Sequence, residues 1–464
     1  MLIVIDYLTA IAAWLVFWVY RQHLMHQAFP ELYPYERHWS WRDYFISFLF
    51  IPVFWICLHF LSGAYFDLYR KSRLVEVYRS ALVSFVGCLL VGTIAFSNDT
   101  DSFSYFFEIT LWYFLTQGFF LISSRLLLLY RTKRHLEKGK VFYNTLIVGG
   151  NGKATRVYEE IKHNPYVLGN AVRGFVSANP DEATLNVEGV PELGQLPELE
   201  QIIDRNEIEE VVIAVESHEH KKLENILTRL SYRPVIVKVL PDLYDIISGS
   251  VRINNVYAPV LISIYPELLP DWQKVCKRVF DIIVSVLALV VLSPLYLFAA
   301  LKVKMSSPGP IFYKQERIGL YGRPFYIYKF RSMYIDAENE GPALSSDDDP
   351  RITPWGRFMR KWRIDELPQF FNILQGDMSL VGPRPERQYF IDQIIPTHPH
   401  YKYLHRVKPG ITSWGMVQYG YAENVQQMIE RMKYDLLYIE NCSLALDMKI
   451  LVYTFLVILQ GRGK

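Results

Sequence analysis

The stretch Phe142-Tyr-Asn-Thr-Leu-Ile-Val-Gly-Gly150 passes through Asn151 and Gly152 into an amphipathic segment that ends at Lys162. A short apolar run that ends in glycines and leads into a helical pattern is typical of a buried parallel strand followed by a crossover helix. Further apolar runs of the same kind predict more strands, at Val172–Val176, Glu210–Val215 and Val235–Val239. Strands that alternate with helical segments favour a doubly wound parallel sheet.

The glycine turn of this predicted sheet, at Gly150 and Gly152, matches only part of a dinucleotide-binding fingerprint. Thr155 stands where the third glycine of the pattern is expected, and Ser177 stands where an acid usually follows the second strand. A nucleotide or anion at the start of the first helix is one interpretation, because helix N-termini attract anions. The incomplete fingerprint favours the other interpretation, a structural or regulatory Rossmann-like domain without catalysis. We place this α/β domain at residues 136–265.

The residues upstream of the sheet are strongly apolar and predict a transmembrane four-helix bundle over residues 1–135. Four apolar segments, about 2–20, 44–64, 80–97 and 104–130, each approach the roughly 20 residues that a bilayer crossing needs. The loops after the second and fourth segments are basic, with residues Arg70, Lys71, Arg73, Arg79, Arg131, Lys133, Arg134, Lys138 and Lys140. Basic loops favour the cytoplasmic side, although the basic first loop, predicted outside, conflicts with this orientation.

The overall composition excludes several classes of protein. Half of the residues are hydrophobic (51%), which excludes a disordered or fibrous chain. The net charge is only +2, so the chain lacks the polybasic signature of a nucleic-acid binder. Its four cysteines form no CxxC pair, which argues against a zinc ribbon or a disulfide framework.

Downstream of the sheet, residues 282–301 form a second kind of apolar segment, because Ser293 and Pro294 interrupt it past its middle. Proline removes a backbone donor and kinks or breaks a helix. A kinked spanning helix would place the rest of the chain outside the cell. A re-entrant helix would return both basic flanks to the cytoplasmic face, and the positive-inside rule favours this second interpretation. The backbone groups at the break then need protein partners such as the Ser293 hydroxyl.

A run of charged residues after this segment points to phosphate chemistry. Asp365 and Glu366 come just before Pro368, which is tolerated in the first turn of a helix, so we expect both acids at a helix N-terminus. Leu367, Phe370, Phe371 and Leu374 would form the apolar face of that helix. Adjacent carboxylates on a helix point about 100° apart, so one can face a reacting phosphorus while the other holds a metal.

Basic residues around this acidic pair are the candidates for binding phosphate groups: Lys329, Arg331, Arg360 and Arg384. Arg384 lies between two prolines in Gly382-Pro-Arg-Pro385, which predicts a stiff, preorganised bidentate clamp. Acids in a first helical turn also occur merely as partners of the helix dipole. The neighbouring arginine clamp favours the catalytic interpretation, and the absence of a GxxxxGK[ST] pattern excludes a P-loop enzyme.

Residues 270–464 strongly resemble the catalytic domain of the bacterial polyprenyl-phosphate hexose-1-phosphate transferases. Matching pieces occur in the family's order and spacing, namely Lys277-Arg278-x-x-Asp281, Ser293-Pro294, Gln315-Glu-Arg317-Ile-Gly319, Tyr328-Lys-Phe-Arg-Ser-Met333, Asp365-Glu-Leu-Pro368, Gly376-Asp377-Met-Ser379 and Val381-Gly-Pro-Arg-Pro385. The N-terminal helices and the Rossmann-like domain resemble the large members of this family. The resemblance therefore covers nearly the whole chain, and it implies a C-terminal, mostly α-helical, monotopic catalytic domain at residues 266–464 with a re-entrant helix.

The resemblance also implies an activity. Such an enzyme transfers a hexose 1-phosphate from a UDP-sugar to undecaprenyl phosphate, releases UMP, and initiates lipid-linked exopolysaccharide, capsule or O-antigen synthesis. By the resemblance, Asp365 is the nucleophile of a covalent phospho-sugar intermediate, Glu366 is the ligand of Mg²⁺, and Ser293-Pro294 is the re-entrant turn. The implied location is the bacterial inner membrane, with the catalytic domain on its cytoplasmic face. The large relatives are also compatible with a homodimer.

One segment departs from the family pattern and leaves the sugar open. Many members have Pro-Gly-Ile-Thr-Gly-Trp and then Asn-Gly-Arg, whereas this chain has Ser413 in place of the glycine and continues as Gln418-Tyr419-Gly420-Tyr421. Two alternative functions stay open: a membrane-bound nucleotide-sugar dehydratase or epimerase, and a non-catalytic scaffold. The first needs a Tyr-x-x-x-Lys pair well downstream of the glycine turn, and this spacing occurs only at Tyr158 and Lys162, directly after it.

Overall fold

The computed structural model describes residues 2–28, 41–96, 103–149, 152–163, 169–178, 190–215, 219–239, 262–263, 268–338, 341, 344 and 349–460. The chain divides into two compact units, residues 1–142 with 270–276 and residues 143–269 with 277–464. Each unit has a hydrophobic core of its own.

Four helices form most of the first unit, and three of them are long and apolar enough to cross a membrane. These three are α1 (Leu2–Ala28), α3 (Arg73–Val91, continued by the turn Gly92–Phe96) and α4 (Phe103–Glu137). The second helix, α2 (Trp41–Leu61), has a shorter apolar part, Ser47–Leu61, among the described residues. Three of the four predicted apolar helices therefore have the length that a crossing needs, and α2 falls short of it by this measure.

Ionisable side chains interrupt the apolar interior of this unit, although the sequence pattern emphasised long apolar segments. A guanidinium nitrogen of Arg125 on α4 donates to Asp6 on α1 at 2.5 Å, and Arg125 Nε lies 3.9 Å from Glu76 on α3. All three side chains are buried. Charged groups between apolar helices are costly unless they are paired, so this cluster ties α1 and α3 to α4 in one arrangement.

The second unit contains the predicted parallel sheet. Its strands are β1 (Tyr143–Val148), β2 (Asn170–Ser177), β3 (Glu192–Gln195), β4 (Glu210–Ile213), β5 (Ile236–Val239) and β6 (Ile262–Ser263), in the order β3-β2-β1-β4-β5-β6. The first five run parallel and β6 is antiparallel. The connecting helices are α5 (Gly152–His163), α6 (Leu199–Arg205) and α7 (His220–Leu230). The strand order reverses beside β1, as in doubly wound folds, so the predicted sheet is confirmed.

Both faces of this sheet are covered, which explains why its strands read as continuous apolar runs. Leu146 and Val148 of β1 belong to one core, whereas Ile147 between them belongs to a second core on the opposite face. Successive side chains of a strand point to opposite faces, so a sheet buried on both sides has no polar alternation.

The apolar segment with the serine–proline pair forms two helices, α8 (Asp271–Val291) and α9 (Ser293–Ser306). The axes of the two helices differ by 62°, so the predicted break is present. The Ser293 hydroxyl donates to the carbonyl oxygen of Val290 at 2.7 Å. The expected partner for a backbone group at the break is therefore confirmed.

The elements that follow build the region around the acidic pair. A hairpin of β7 (Phe312–Ile318) and β8 (Pro324–Phe330) precedes α10 (Pro354–Lys361) and α11 (Gln369–Gln375). A short parallel pair, β9 (Ser379–Val381) and β10 (Gly410–Thr412), brackets α12 (Gln388–Ile394) and a 3₁₀ segment, Pro399–Arg406. The remaining helices are α13 (Trp414–Gln418), α14 (Val425–Glu440) and α15 (Leu444–Leu459).

The predicted apolar face of α11 is only partly right, because Phe370 packs against the hydrophobic core but other buried positions are polar. The helix buries Gln369, Asn372 and Ile373, whereas the Phe371 side chain is exposed. Polar residues occupy the buried face because α11 packs beside β8, whose backbone needs hydrogen-bond partners. The sequence pattern alone does not reveal that requirement.

Candidate active site

Asp365 and Glu366 lie in a 3₁₀ turn, Ile364–Glu366, directly before Pro368 and α11. As predicted, both acids lie near the start of a helix. They belong, however, to a separate 3₁₀ turn that precedes the helix. Arg363 precedes this turn with φ = 59°, in the left-handed region that a non-glycine residue rarely adopts. Both carboxylates are almost fully buried, with 6% and 7% of each residue exposed. Two adjacent buried acids need compensating charges nearby.

Glu366 receives those charges from three different parts of the chain. Lys329 Nζ on β8 and Arg384 Nη2 donate to Glu366 Oε1 at 3.0 and 2.9 Å, and Arg363 Nη1 lies 3.6 Å from Oε2. Burial alone would raise the pKa of Glu366, but Lys329, Arg384 and Arg363 hold this pKa well below its usual range. Glu366 is therefore a fixed negative charge at the centre of a cationic cluster.

Asp365 has the opposite surroundings. Its Oδ1 atom is buried and accepts no hydrogen bond from any residue that the structure describes. Burial, together with the negative charge of Glu366, raises the pKa of Asp365. Neighbouring acids whose pKa values are pushed apart are characteristic of sites in which the two groups have different chemical roles. The uncommitted oxygen makes Asp365 the better candidate for a nucleophile.

Arg360 belongs to the same cluster through Asp365. Its Nε atom donates to the Ser332 hydroxyl at 3.0 Å. Burial lowers the pKa of Arg360, and the Asp365 carboxylate is the strongest charge that opposes this effect. Arg360, Arg363, Arg384 and Lys329 thus surround two carboxylates and leave a surplus of two positive charges. Such a site suits an anionic ligand with several phosphate oxygens.

The segment that carries Arg384 is fixed by a buried ion-pair chain. Glu386 accepts from Arg317 Nη1 at 3.0 Å and from Arg431 Nη2 at 2.7 Å. A Cβ atom at Gly382 would lie 2.2 Å from the Lys408 carbonyl oxygen, so only glycine fits between β9 and β10 there. These contacts fix the backbone on both sides of Arg384, as the two prolines led us to expect.

Asn372 on α11 fixes the strand that carries Lys329. Its Oδ1 accepts from the Tyr328 amide at 3.0 Å, and its Nδ2 donates to the Tyr326 carbonyl oxygen at 2.7 Å. The side chain is completely buried. Asn372 therefore joins the strand beside Lys329 to the helix beside Glu366.

The helices α8 and α9, which flank the break at Ser293 and Pro294, also contact the segment around the acidic turn, Ile364–Glu366. Arg278 of α8 donates to the carbonyl oxygens of Ile373 and Leu374 at 2.6 and 3.0 Å, which satisfies the C-terminal end of α11. Tyr296 of α9 donates to the Leu367 carbonyl oxygen at 2.6 Å. Residues on both sides of Ser293 and Pro294 thus position the acidic turn.

Arg331, a sequence candidate for phosphate binding, is not brought to this site. Arg331 was expected to bind phosphate, but its Nη2 donates to the Ser307 carbonyl oxygen at 2.6 Å, at the end of α9. None of its hydrogen bonds to described residues reaches Asp365 or Glu366. Arg331 follows Lys329 at an interval of two, but it lies beyond the end of β8, where the strand alternation no longer fixes its direction. Of the two candidate glycines in the sheet domain, Gly152 begins α5 and Gly150 lies outside the described residues.

The segment that departs from the family pattern contains one structural residue and one site residue. The Ser413 hydroxyl accepts from the Met416 amide at 3.0 Å and so caps α13, which makes this departure a local structural one. The Tyr421 ring, in contrast, lies beside two cluster arginines, with its centroid 4.1 Å from Arg363 Cζ and 5.0 Å from Arg384 Cζ. Sequence reasoning named neither Tyr421 nor Asn372 as a site residue, and the only signal for Tyr421 was the departure itself.

The described residues offer few ligands for a metal ion. No group of three or more His, Cys, Asp or Glu side chains among them forms a metal site. Mg²⁺ is often bound through only one or two carboxylates, with substrate phosphates and water completing its shell. The unpartnered Asp365 Oδ1 and the loosely held Glu366 Oε2 fit that mode of binding.

Comparison with known proteins identifies two matching families. The model of the bacterial sugar transferase family matches residues 272–461, which include the whole acidic site. The model of a CoA-binding domain matches residues 61–241, which include the parallel strands β1–β5.

Curated relatives match over most of the chain. An undecaprenyl-phosphate glucose-1-phosphate transferase of Xanthomonas campestris is 35% identical over 340 residues, 72% of this chain and 70% of the relative. The corresponding Escherichia coli enzyme is 28% identical over 433 residues, 90% of each chain. An undecaprenyl-phosphate N-acetylgalactosaminephosphotransferase of Aeromonas hydrophila is 41% identical over 240 residues, 52% of this chain and 56% of the relative. The relatives thus share a reaction type but differ in the sugar that their names specify.

Proposed function

Because this chain belongs to the bacterial sugar transferase family, and is therefore a transferase, we propose that it transfers a hexose 1-phosphate from a UDP-sugar to undecaprenyl phosphate with release of UMP. The observation that carries this proposal is the buried pair Asp365–Glu366 inside a cluster of four basic side chains. The names of the matched relatives support the same donor class and the same lipid acceptor.

In the first step, an oxygen of the ionised Asp365 carboxylate attacks the phosphorus that bears the hexose. A phosphorus–oxygen bond to Asp365 forms as the bond to the bridging oxygen of the diphosphate breaks, and UMP leaves with that oxygen. In the second step, a phosphate oxygen of undecaprenyl phosphate attacks the same phosphorus and releases Asp365. Covalent catalysis divides one displacement between two anions into two separate displacements.

The surrounding cations have a defined part in this reaction. The donor diphosphate carries two negative charges, which match the surplus of two positive charges in the site. Lys329, Arg363 and Arg384 converge on Glu366 and are held there before substrate arrives. Preorganised cations stabilise charge that moves onto the phosphoryl oxygens and the departing UMP without a cost of reorganisation.

We also propose that Glu366, together with Asp365, faces a Mg²⁺ ion that enters with the donor. A bound Mg²⁺ neutralises phosphate charge and makes the phosphorus more electrophilic. Because the protein alone presents a surplus of positive charge, the diphosphate supplies the additional negative charge that a divalent cation requires.

The chain is a membrane protein, and we propose the bacterial inner membrane with the acidic site on its cytoplasmic face. In this arrangement the bent pair α8–α9 enters the bilayer and returns to the same side, and the turn at Ser293 and Pro294 is its deepest point. Residues 1–135 would form the membrane bundle, 136–265 the sheet domain and 266–464 the catalytic domain. The product would initiate a lipid-linked exopolysaccharide, capsule or O-antigen.

A nucleotide-sugar dehydratase or epimerase is less well supported by the site. Tyr158 and Lys162, the residues with the required spacing, both lie on α5, where the Lys162 ammonium faces the Tyr158 ring at 5.5 Å. That pair is part of the helix surface after the glycine turn. A non-catalytic scaffold, in turn, has no need for two buried adjacent acids, which are costly to fold.

The test is UMP release by the detergent-purified full chain with Mg²⁺, undecaprenyl phosphate and a panel of UDP-sugars. We expect UMP from at least one donor, and we expect its loss with EDTA and in Asp365→Asn. Mass spectrometry of the wild-type protein with donor alone should show the mass of a hexose phosphate on the peptide that contains Asp365. Full activity in Asp365→Asn, with the wild type and variant equally folded, would exclude the covalent route. Bound NAD in the purified protein would revive the dehydratase.

A further inference from the structure

Tyr421 lies where two cluster arginines meet. It belongs to the segment between α13 and α14, and its ring faces the guanidinium groups of both Arg363 and Arg384. These arginines come from the acidic turn and from the stiff Gly382–Pro385 segment, so one ring contacts two separately anchored parts of the site. An arginine over an aromatic face within about 6 Å of the ring centre is attracted by the ring, and more strongly when both groups are shielded from water.

The two arginines need such a contact because they oppose each other. Both converge on Glu366, and Arg384 is among the charges that lower the pKa of Arg363 after burial itself. Arg363 also keeps a left-handed backbone conformation that costs free energy. A ring that stacks on the guanidinium faces leaves their N–H edges directed elsewhere, toward Glu366 and toward an incoming phosphate.

The hydroxyl of the same tyrosine has no partner. Tyr421 Oη is buried and makes no hydrogen bond to the residues that the structure describes. A buried hydroxyl without a hydrogen-bond partner destabilises the folded protein, so a partner is expected in the functional state. Asp365 Oδ1 is a second buried oxygen without a partner at this site.

We propose that Tyr421 belongs to the donor site, where its ring positions Arg363 and Arg384 and its hydroxyl hydrogen-bonds a polar group of the donor hexose. This inference rests on the proposed transfer reaction, because Asp365 attacks the phosphorus attached to the hexose. A donor whose phosphate lies on the arginine edges presents its hexose next to that phosphate. Tyr421 is thus a positioning residue through its ring and a residue of sugar specificity through its hydroxyl.

The experiment compares Tyr421→Phe, which removes only the hydroxyl, with Tyr421→Leu, which removes the ring. Tyr419→Phe is the matched control, because Tyr419 lies two residues away, is exposed, and packs its ring on Tyr434. For each full-length protein, kcat and KM are measured with UDP-sugars that share UDP and differ in the hexose. Melting curves and circular dichroism establish that the variants are folded. If Tyr421→Leu does not fold, Tyr421→Phe alone still tests the proposal.

We expect Tyr421→Phe to raise KM about tenfold for the preferred donor, with kcat within about threefold, and to leave poor donors nearly unchanged. Tyr421→Leu should lower kcat about a hundredfold with every donor, and Tyr419→Phe should match the wild type. Unchanged donor preference in Tyr421→Phe, or an equal loss with every donor, would overturn the assignment to the hexose. Unchanged kcat in folded Tyr421→Leu would overturn the positioning role. A wild-type protein that releases no UMP would overturn the transfer reaction itself and this inference with it.

Discussion

Asp365 and Glu366 are neighbours in the chain, but the protein gives their carboxylates opposite electrostatic surroundings. Glu366 is paired with Lys329, Arg384 and Arg363, whereas Asp365 Oδ1 is buried without a partner. The pKa of Glu366 is therefore lowered and the pKa of Asp365 is raised. The same contrast has consequences for stability and for activity, and these can be measured separately.

For stability, the substitutions Asp365→Asn and Glu366→Gln should act in opposite directions. The folded-state pKa of Asp365 lies above the usual 3.8, so its favourable contribution is present below that pH and is lost as pH rises through the folded pKa. At pH 7.5 the ionised Asp365 is a penalty, and Asp365→Asn should raise the unfolding temperature by roughly 2–4 °C. This gain should shrink as the pH is lowered toward 4. Thermal unfolding followed by intrinsic fluorescence between pH 4 and 8 measures it.

Glu366→Gln is the matched control, because it removes one charge from the adjacent position. It leaves buried cations without their shared partner, which costs about 3–5 kcal/mol, so the unfolding temperature should fall. The pH dependence of kcat/KM in the wild type gives an independent check, since activity should fall as pH drops through the raised pKa of Asp365. If both substitutions lowered the unfolding temperature at pH 7.5, the electrostatic difference between the two acids would be refuted.

At the scale of elements, the contact between α11 and β8 determines where Lys329 lies. Asn372 supplies both hydrogen-bonding groups of its amide to the strand backbone. In Asn372→Leu, the Tyr328 amide and the Tyr326 carbonyl lose these partners, at about 1–3 kcal/mol each. We expect a lower unfolding temperature and a kcat about tenfold lower, because Lys329 is no longer held beside Glu366. Steady-state UMP release and thermal unfolding measure the two effects.

Gln375→Leu is the control for this substitution, because Gln375 is on the same helix and its side chain is exposed. It makes the same change of residue type without removing a buried amide. We expect it to behave as the wild type. An Asn372→Leu protein that was as stable and as active as Gln375→Leu would mean that Asn372 does not position the strand.

The elements also differ in how well the sequence predicted them. The parallel strands and the break at Ser293 followed from local patterns, because apolar runs, glycine turns and proline act within a few residues. The apolar face of α11 was right only in part, since the backbone of β8, about 45 residues earlier, determines which polar side chains of α11 are buried. The acidic pair and Arg384 were recognisable as motifs, whereas Tyr421 reaches Arg363 and Arg384 only after the chain has folded. Contacts between distant segments are the part that no local pattern contains.

At the scale of the whole molecule, the sheet domain contacts the segment that lies behind Arg384. Tyr232, in the connection between α7 and β5, places its ring edge-on to the His405 ring at 5.4 Å, and it covers Gly322. Burial lowers the pKa of His405 to about 4, so this imidazole is neutral near pH 7. His405 also lines a small, partly open pocket, together with Pro383, Arg384 and Pro385. Tyr232 and His405 therefore connect the sheet domain to the pocket that Arg384 also lines.

We therefore expect Tyr232→Ala to affect catalysis although Tyr232 is not part of the acidic site. Loss of the ring leaves a space beside His405 and loosens the 3₁₀ segment Pro399–Arg406, which packs behind Arg384. Truncation of a fully buried aromatic side chain lowers the free energy of unfolding by about 3–5 kcal/mol. Tyr232 is only half-buried, so its truncation should lower that free energy by less. We predict a lower unfolding temperature and a kcat reduced about three- to tenfold, with little change in KM for the donor. Hydrogen exchange should increase within residues 383–385 and 399–406.

Glu224→Ala tests whether the loss of any side-chain contact between the sheet domain and the segment Pro399–Arg406 lowers kcat as Tyr232→Ala does. Glu224 pairs with His400 at 3.2 Å, but both side chains are about half exposed, so this ion pair contributes little. It should leave kcat and hydrogen exchange unchanged. Packing carries an effect between sites only where the contact is dry and closely fitted, which is true of Tyr232 and not of Glu224. If Tyr232→Ala and Glu224→Ala had equal kcat values and equal exchange at residues 383–385, the sheet domain would have no influence on the arginine clamp through this contact.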